Sequence, residues 1–148
     1  TYAMAGIRLG YMICGDAGLV GKAGAFGPPW NISTPATHAG IAAMGLDGYE
    51  DKIADIVEKL RNDLEAKLEQ LGLKVIKGSA DYILFHTDIE DLDNKMRQRG
   101  ILIRDCSNYT GLGKGWFRIA VKNRAENEIM YNTLLSVIND AKKQTDFE

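Results

Sequence analysis

The segment from Tyr49 to Leu71 places the strongest constraint on how this chain folds. Its apolar residues recur at steps of three and four, at Ile53, Ile56, Val57, Leu60, Leu64 and Leu68. Lysine, glutamate and arginine fill most of the other positions, and Gly72 follows where a helix commonly ends on glycine. The spacing predicts a long amphipathic helix whose apolar face must pack against a second layer of structure.

The residues after this helix predict a sheet to pack against it. Short apolar runs bounded by glycine and polar residues predict strands at 75–76, 82–85, 101–104 and 116–121. Further helices are expected from Asp88 or Asp91 to Arg99 and from a cap at Asn123 to about Lys143. The order is helix, strand, strand, helix, strand, strand, helix. We therefore expect an α+β fold, with one mainly antiparallel sheet and helices on one face.

The first third of the chain is rich in glycine and has a different character. Residues 8–13 form a short apolar run between glycines and predict a buried strand. Asp16 is a candidate helix cap, although each glycine in 18–27 weakens the following helix by roughly 1 kcal/mol relative to alanine. Ser33 or Thr34, with proline in the first turn, predicts a helix that ends near Met44.

Composition and charge exclude several classes of function. The chain has 148 residues and a formal net charge of −2, so it has no general attraction for nucleic acid or anionic membranes. No apolar run approaches the roughly 20 residues that span a bilayer. Cys14 and Cys106 lie far apart, which argues against a disulfide framework and against a metal site. We expect a cytoplasmic protein with no nucleic-acid, membrane or metal partner.

Three arginines are the candidate functional residues. Arg8, Arg104 and Arg118 each lie in or at the end of an apolar strand run, and arginine is seldom buried without an anionic partner. That partner is either a protein carboxylate, such as Asp105, or the carboxylate or phosphate of a ligand. If the strands around the loop 105–115 pair as a hairpin, Arg104 and Arg118 reach one site. Two convergent guanidinium groups suit a substrate with two anionic groups.

Particular runs of sequence resemble a known family. Residues 5–11, Ala-Gly-Ile-Arg-Leu-Gly-Tyr, resemble the segment that follows the cofactor lysine in fold-type I pyridoxal-phosphate enzymes. Residues 29–33 are similar to the connector into the small domain of histidinol-phosphate aminotransferases. The most specific runs, 101–112, 118–122 and 126–128, resemble the L-threonine-O-3-phosphate decarboxylases of cobalamin biosynthesis. The resemblance covers essentially the whole chain.

This resemblance implies a cofactor, a substrate and roles for the arginines. The cofactor would be pyridoxal 5′-phosphate, and Arg8 matches the arginine that binds its phosphate. Arg118 matches the arginine that binds the substrate α-carboxylate. Arg104 matches a second substrate arginine, suited to the substrate phosphate or to sharing the anionic groups with Arg118. The substrate would be a phosphorylated amino acid, and the lyase reaction would convert L-threonine O-3-phosphate to aminopropanol phosphate. The full-length enzyme would be a homodimer.

The resemblance also implies which parts of such an enzyme the chain contains. The family's Schiff-base lysine comes immediately before the position that Thr1 matches, so we expect no catalytic residue in these 148 residues and no activity from them alone. Residues 1–34 would end the cofactor-binding large domain, and residues 35–148 would form the C-terminal small domain. Two alternatives stay open: a histidinol-phosphate-type aminotransferase, and a non-catalytic module that binds anions.

Overall fold

The computed structural model describes residues 1–145 and divides into two compact units. The first unit is Thr1–Ile53, and the second begins at Ala54. The boundary between the two units falls within the long helix at Tyr49–Gln70. The expected division of an intact enzyme after residue 34 remains a prediction.

The first unit is built from a short turn and helices. It contains a 3₁₀ turn at Ala5–Ile7, helix α1 at Ala17–Phe26, helix α2 at Thr34–Met44 and the start of α3, Tyr49–Gln70. The Asp16 carboxylate caps α1 by accepting hydrogen bonds from the backbone N–H groups of Gly18 and Leu19. The Ser33 hydroxyl caps α2 in the same way, as the sequence predicted.

The predicted buried strand at residues 8–13 is wrong. No residue of 1–53 is in a strand, and the side chains of Tyr11 and Ile13 are 92% and 88% exposed. A strand needs a neighbour to satisfy its backbone N–H and C=O groups. Residues 8–13 have no strand beside them within their unit, so the apolar pattern alone does not produce one.

The second unit contains the predicted sheet. After α3 come β1 Lys74–Ile76, β2 Tyr82–His86, α4 Leu92–Arg97, β3 Arg104–Asp105, β4 Trp116–Ala120 and α5 Arg124–Thr145. The four strands lie in the order β1-β2-β4-β3, and every neighbouring pair is antiparallel. The α+β fold with a mainly antiparallel sheet is therefore confirmed.

The core lies between one face of this sheet and the helices. The buried residues of the two central strands alternate along each strand, at Ile83 and Phe85 on β2 and at Phe117 and Ile119 on β4. The helices cover them with Leu64, Leu68, Leu92, Met96, Met130, Leu134, Val137 and Ile138. Along β2 and β4, the residues that alternate with these buried strand residues point to the other face of the sheet. These helices do not cover that face, which we call the open face.

The edge strand β3 is shorter than predicted. The sequence predicted a strand from Ile101, but only Arg104 and Asp105 pair with β4. The Ile101 backbone N–H instead donates to the Met96 carbonyl at 3.0 Å and closes the turn after α4. Leu102 is 77% exposed, so neither sheet nor core holds it.

The long helices begin and end close to their predicted residues. Gly72 follows α3 with a positive φ of 83°, the left-handed conformation that favours glycine at a helix end. The Asn123 side chain accepts a hydrogen bond from the Glu126 backbone N–H at 3.0 Å and caps α5. Among residues 1–145, no helix has both the length and the apolar content needed to span a bilayer.

Candidate anion-binding site on the open face of the sheet

The open face of the sheet carries both candidate substrate arginines. In the strand register, Arg118 on β4 lies between Leu84 on β2 and Arg104 on β3. Direct cross-strand partners point to the same face, with Cβ atoms roughly 4.5–5.5 Å apart. The predicted hairpin around residues 105–115 is therefore present, and it brings Arg104 and Arg118 side by side.

A cavity of about 400 Å³ lies beside Arg104 and Arg118. It is lined by Asp81, Tyr82, Leu102, Ile103, Arg104, Arg118 and Ala120. Its volume falls in the range of small-molecule sites, roughly 300–1,000 Å³. The lining combines two arginines and one acidic residue, Asp81, with apolar side chains. Its charged side chains therefore carry a net positive charge, which suits a small anionic ligand.

Arg118 is the more enclosed of the two arginines. It is half-buried, and its guanidinium carbon lies 4.7 Å from the centre of the Tyr82 ring. That distance is within the roughly 6 Å at which a cation is attracted to an aromatic face. No carboxylate oxygen among the described residues lies within 4.0 Å of its nitrogens.

Arg104 is exposed and has only neutral partners. Its guanidinium carbon lies 5.8 Å from the centre of the Tyr109 ring, and Nη2 donates a long hydrogen bond of 3.4 Å to the Asn108 side-chain oxygen. The neighbouring Asp105 carboxylate instead accepts bonds of 2.8 Å from the backbone N–H and the hydroxyl of Ser107. These bonds, with a smaller contribution from the Arg104 charge, hold the pKa of Asp105 below its ordinary value.

The burial expected for the arginines is only partly present. Arg8 and Arg104 are exposed and Arg118 is half-buried, so desolvation does not force any of them to find a counter-ion. What distinguishes Arg104 and Arg118 is their direct juxtaposition. Like charges directly opposite each other destabilise a sheet, and a bound anion would remove that repulsion.

Arg8 belongs to the first unit and has an unusual backbone. Its φ and ψ of 59° and 31° are left-handed, a conformation that costs a non-glycine residue on the order of 1 kcal/mol. Its backbone N–H and its Nη1 each donate to the Ala5 carbonyl at 3.2 Å. No described carboxylate forms an ion pair with it, so the remaining guanidinium donors are free to bind a phosphate.

Sequence reasoning missed the aromatic partners of the arginines. Tyr109 and Asn108 follow Arg104 in the run 101–112, so their proximity to it was available from local spacing. Tyr82 is distant in sequence from Arg118 and joins it only through the pairing of β2 with β4. The alternation of side chains along β2 could have indicated this contact, because it places Tyr82 and Ile83 on opposite faces of the sheet.

Cys106 lies next to the site with its thiol buried. Its side chain is fully buried, and burial raises the pKa of the thiol, although the charges of Arg118 and Arg104 act in the opposite direction. Its backbone N–H donates to the Trp116 carbonyl at 2.9 Å, which continues the pairing of β3 with β4. Cys106 therefore acts as a small core residue at the base of the hairpin.

Comparison with known proteins places the chain among relatives of known activity. The profile of the family described as aminotransferase class I and II matches residues 1–134. Threonine-phosphate decarboxylase of Salmonella typhimurium is 31% identical over 140 residues, which cover 93% of this chain and 38% of that protein. Histidinol-phosphate aminotransferase 2 of Archaeoglobus fulgidus is 29% identical over 137 residues, which cover 92% of this chain and 40% of that protein.

A solved structure shows the same fold over the same extent. The histidinol-phosphate aminotransferase of Clostridium acetobutylicum superposes with a TM-score of 0.84 at 29% identity, covering 93% of this chain and 43% of that one. The chain thus spans about 40% of the length of these relatives. Because the family profile matches residues 1–134, the chain belongs to the class I and II aminotransferases, a family of enzymes that depend on pyridoxal 5′-phosphate.

Proposed function

We propose that the complete gene product is a pyridoxal-phosphate-dependent lyase that converts L-threonine O-3-phosphate to aminopropanol phosphate in cobalamin biosynthesis. One observation carries this proposal: Arg104 and Arg118 lie side by side in one cavity, and no described carboxylate oxygen lies within 4.0 Å of either guanidinium. The substrate carries a carboxylate and a phosphate, so it offers one anionic group to each guanidinium. The similarity to the Salmonella decarboxylase supports the same reaction.

The surroundings of the two arginines suggest which group each one binds. Arg118 is half-buried on a central strand, so it suits the α-carboxylate, which must lie close to the reacting carbon. Arg104 is exposed on an edge strand and suits the more distant phosphate. A guanidinium can bind either group through two parallel N–H···O bonds. Two such attachments would hold the substrate in one orientation, which is the main contribution the protein makes to a cofactor reaction.

The residues present fit the cofactor as well. Arg8 has free guanidinium donors and would hold the cofactor phosphate. When bound, pyridoxal phosphate supplies an electron sink for the pair released as carbon dioxide leaves. Arg118 would keep the α-carboxylate in the position from which it departs. We further propose a cytoplasmic homodimer, and light scattering of the purified gene product tests the dimer.

A histidinol-phosphate aminotransferase is the second candidate. The specific observation in its favour is the TM-score of 0.84 with the Clostridium enzyme. Histidinol phosphate has a phosphate but no carboxylate, so it leaves one guanidinium without an anion. In this reaction, Arg118 would bind the carboxylate of the amino-group acceptor instead.

Two assays on the complete gene product separate these candidates. Release of carbon dioxide from L-threonine O-3-phosphate is expected, whereas amino transfer from histidinol phosphate to 2-oxoglutarate is not. Arg118→Gln and Arg104→Gln should each lower kcat/KM for decarboxylation roughly 10- to 100-fold, since each removes charge-assisted hydrogen bonds. Arg97→Gln, at an exposed arginine on α4, is the matched control and should have no effect.

The outcomes discriminate among all three readings. Amino transfer without carbon dioxide release would replace the first candidate by the second. A third outcome is that the protein catalyses neither reaction and still binds L-threonine O-3-phosphate in calorimetry. If Arg118→Gln weakens that binding, the result indicates a non-catalytic anion-binding module. Decarboxylation that is unaffected by either arginine substitution would contradict the assigned site.

A further inference from the structure

We propose that Tyr82 is a positioning residue, which holds the Arg118 guanidinium in the orientation that binds the substrate α-carboxylate. This inference rests on the proposed function, because it concerns how Arg118 is prepared for its ligand. The contact between the two side chains is the observation that carries it. Tyr82 was not among the residues singled out from the sequence.

The strand register explains why the two side chains meet. Tyr82 pairs directly with Ala120, and Arg118 lies two residues before Ala120 on the same strand. Tyr82 and Arg118 are therefore diagonal neighbours on one face, a separation that aromatic and long side chains bridge. The guanidinium carbon lies over the ring, 4.7 Å from its centre. Tyr82 is 42% exposed and lines the cavity together with Ala120.

An aromatic ring orients a guanidinium without occupying its donors. The five N–H groups lie in the guanidinium plane, so a ring that contacts the face of that plane leaves them available. A carboxylate partner would accept those same N–H groups and compete with the substrate for them. Tyr82 therefore limits the rotamers of Arg118 while leaving its charge and its fork of donors to the ligand.

Arg104 shows a looser version of the same arrangement. Tyr109 lies 5.8 Å from its guanidinium carbon, and Asn108 contributes a neutral acceptor. Unlike Tyr82, Tyr109 does not line the cavity. If each tyrosine acts through its own arginine, Tyr82 should affect recognition of the carboxylate and Tyr109 should affect recognition of the phosphate.

The test compares two ligands that differ only in the carboxylate. L-threonine O-3-phosphate has it, whereas aminopropanol phosphate keeps the amine and phosphate but lacks it. In the complete gene product with its cofactor, Tyr82→Leu should lower kcat/KM for L-threonine O-3-phosphate by about three- to tenfold. The inhibition constant of aminopropanol phosphate should stay within twofold of wild type. Tyr82→Phe keeps the ring and should restore kcat/KM, and a thermal unfolding midpoint close to that of wild type excludes a general effect on folding.

The possible results separate this inference from the proposed function. If the complete gene product releases no carbon dioxide from L-threonine O-3-phosphate, the proposed function itself fails. If it does, but Arg118→Gln leaves kcat/KM unchanged, Arg118 does not bind the carboxylate and the positioning role of Tyr82 falls with it. If Arg118→Gln is impaired but Tyr82→Leu is not, or if Tyr82→Leu weakens both ligands equally, the positioning role is wrong and the function stands. A defect in Tyr82→Phe equal to that in Tyr82→Leu would also overturn the role of the ring. Tyr82→Ile, whose β-branched side chain suits a strand, repeats the comparison if the leucine variant does not fold.

Discussion

Arg104 and Arg118 face each other directly across β3 and β4, and no carboxylate among residues 1–145 lies within 4.0 Å of either guanidinium. A sheet gains nothing from two like charges in this position, which typically costs a few tenths of a kcal/mol. Sites that bind ligands often retain such locally unfavourable arrangements. The pair is thus a cost to the fold that an anion would offset.

Replacement of one member should consequently stabilise the unliganded protein. Arg104→Gln is expected to raise the free energy of unfolding in urea by about 0.5 kcal/mol, because it removes the cross-strand repulsion. Added inorganic phosphate should stabilise the wild type more than this variant, since only the wild type keeps both positive charges. Arg97→Gln is the control. Equal stabilisation of wild type and Arg104→Gln by phosphate would show that the pair does not bind anions.

The hairpin that carries the pair depends on a glycine at Gly115. A Cβ added there would lie 2.5 Å from the Thr87 carbonyl oxygen and 2.8 Å from His86 Nε2, and φ is +85°. Gly115→Ala should therefore lower the free energy of unfolding by about 2–4 kcal/mol. Gly113→Ala is a matched control in the same loop, because a Cβ there meets nothing within 4 Å. Urea unfolding curves of the two variants provide the measurement, and similar midpoints would contradict the steric explanation.

The parts of the fold that sequence predicted are those whose pattern is local. The amphipathic spacing of Leu64 and Leu68 on α3 is a property of one helix, and both side chains are buried. The run at residues 8–13 has equally apolar composition, but strand formation depends on a neighbouring strand that the pattern does not reveal. Ile101 shows a third case, because its backbone N–H closes the end of α4 in preference to the sheet.

The candidate site was likewise predicted only where a local sequence pattern indicated it. Arg104 and Arg118 were identified because charge inside an apolar strand run is visible in sequence. Their convergence was predicted only on the condition that the strands around the loop 105–115 pair, which they do. Tyr82 was missed, because its contact with Arg118 requires the order of strands in the sheet, with β2 next to β4. Nothing local in the sequence fixes that order.

A buried ion pair in α3 offers a separate test of how charge is tolerated in this fold. Arg61 and Glu65 are 6% and 3% exposed, and Arg61 Nε lies 3.9 Å from Glu65 Oε1. Arg61 also donates to the Ala80 carbonyl at 3.3 Å, and Lys77 lies 3.3 Å from the other Glu65 oxygen. Arg61→Met should cost about 3 kcal/mol, since it leaves a buried carboxylate with less compensation.

Removal of both charges should reverse most of that cost. The double variant Arg61→Met with Glu65→Leu is expected to be close to wild type in free energy of unfolding, or more stable. The pair's geometry supports this, since neither Arg61 Nε nor Glu65 Oε1 has a hydrogen-bond partner among the described residues. A double variant as unstable as the single one would show that the ion pair is a net contributor to stability.

The two cysteines should differ strongly in reactivity. Cys106 is fully buried and burial raises the pKa of its thiol, whereas Cys14 is half-buried. Iodoacetamide at pH 8 should therefore alkylate Cys14 in the native protein and reach Cys106 only after unfolding. Mass spectrometry of peptides from native and urea-treated samples measures this, with Cys14→Ser as the control. Rapid native labelling of Cys106 would mean that the base of the hairpin opens.

Tyr2 should ionise only at strongly alkaline pH. Its hydroxyl donates a hydrogen bond to the Glu50 carboxylate, and its ring stacks on Tyr49 with centres 5.2 Å apart. The bond to the carboxylate raises the pKa of Tyr2 to about 12, and it lowers the pKa of Glu50. Because the Tyr2 pKa is raised on folding, the stabilisation is complete below its ordinary value near 10 and is lost as the pH rises through about 12. On the acid side, the Glu50 contribution is present above the ordinary glutamate pKa and is lost as the pH falls through the lowered value.

Absorbance at 295 nm follows phenol ionisation and tests this directly. The wild type should show a component that titrates near pH 12, and Tyr2→Phe should remove it. Glu50→Gln should shift that component to lower pH, since a neutral amide does not stabilise the protonated phenol as a carboxylate does. Tyr11→Phe, at a side chain that is 92% exposed, controls for the loss of one phenol and should leave the component in place. If Glu50→Gln leaves the titration unchanged, the hydrogen bond is not the cause of the raised pKa.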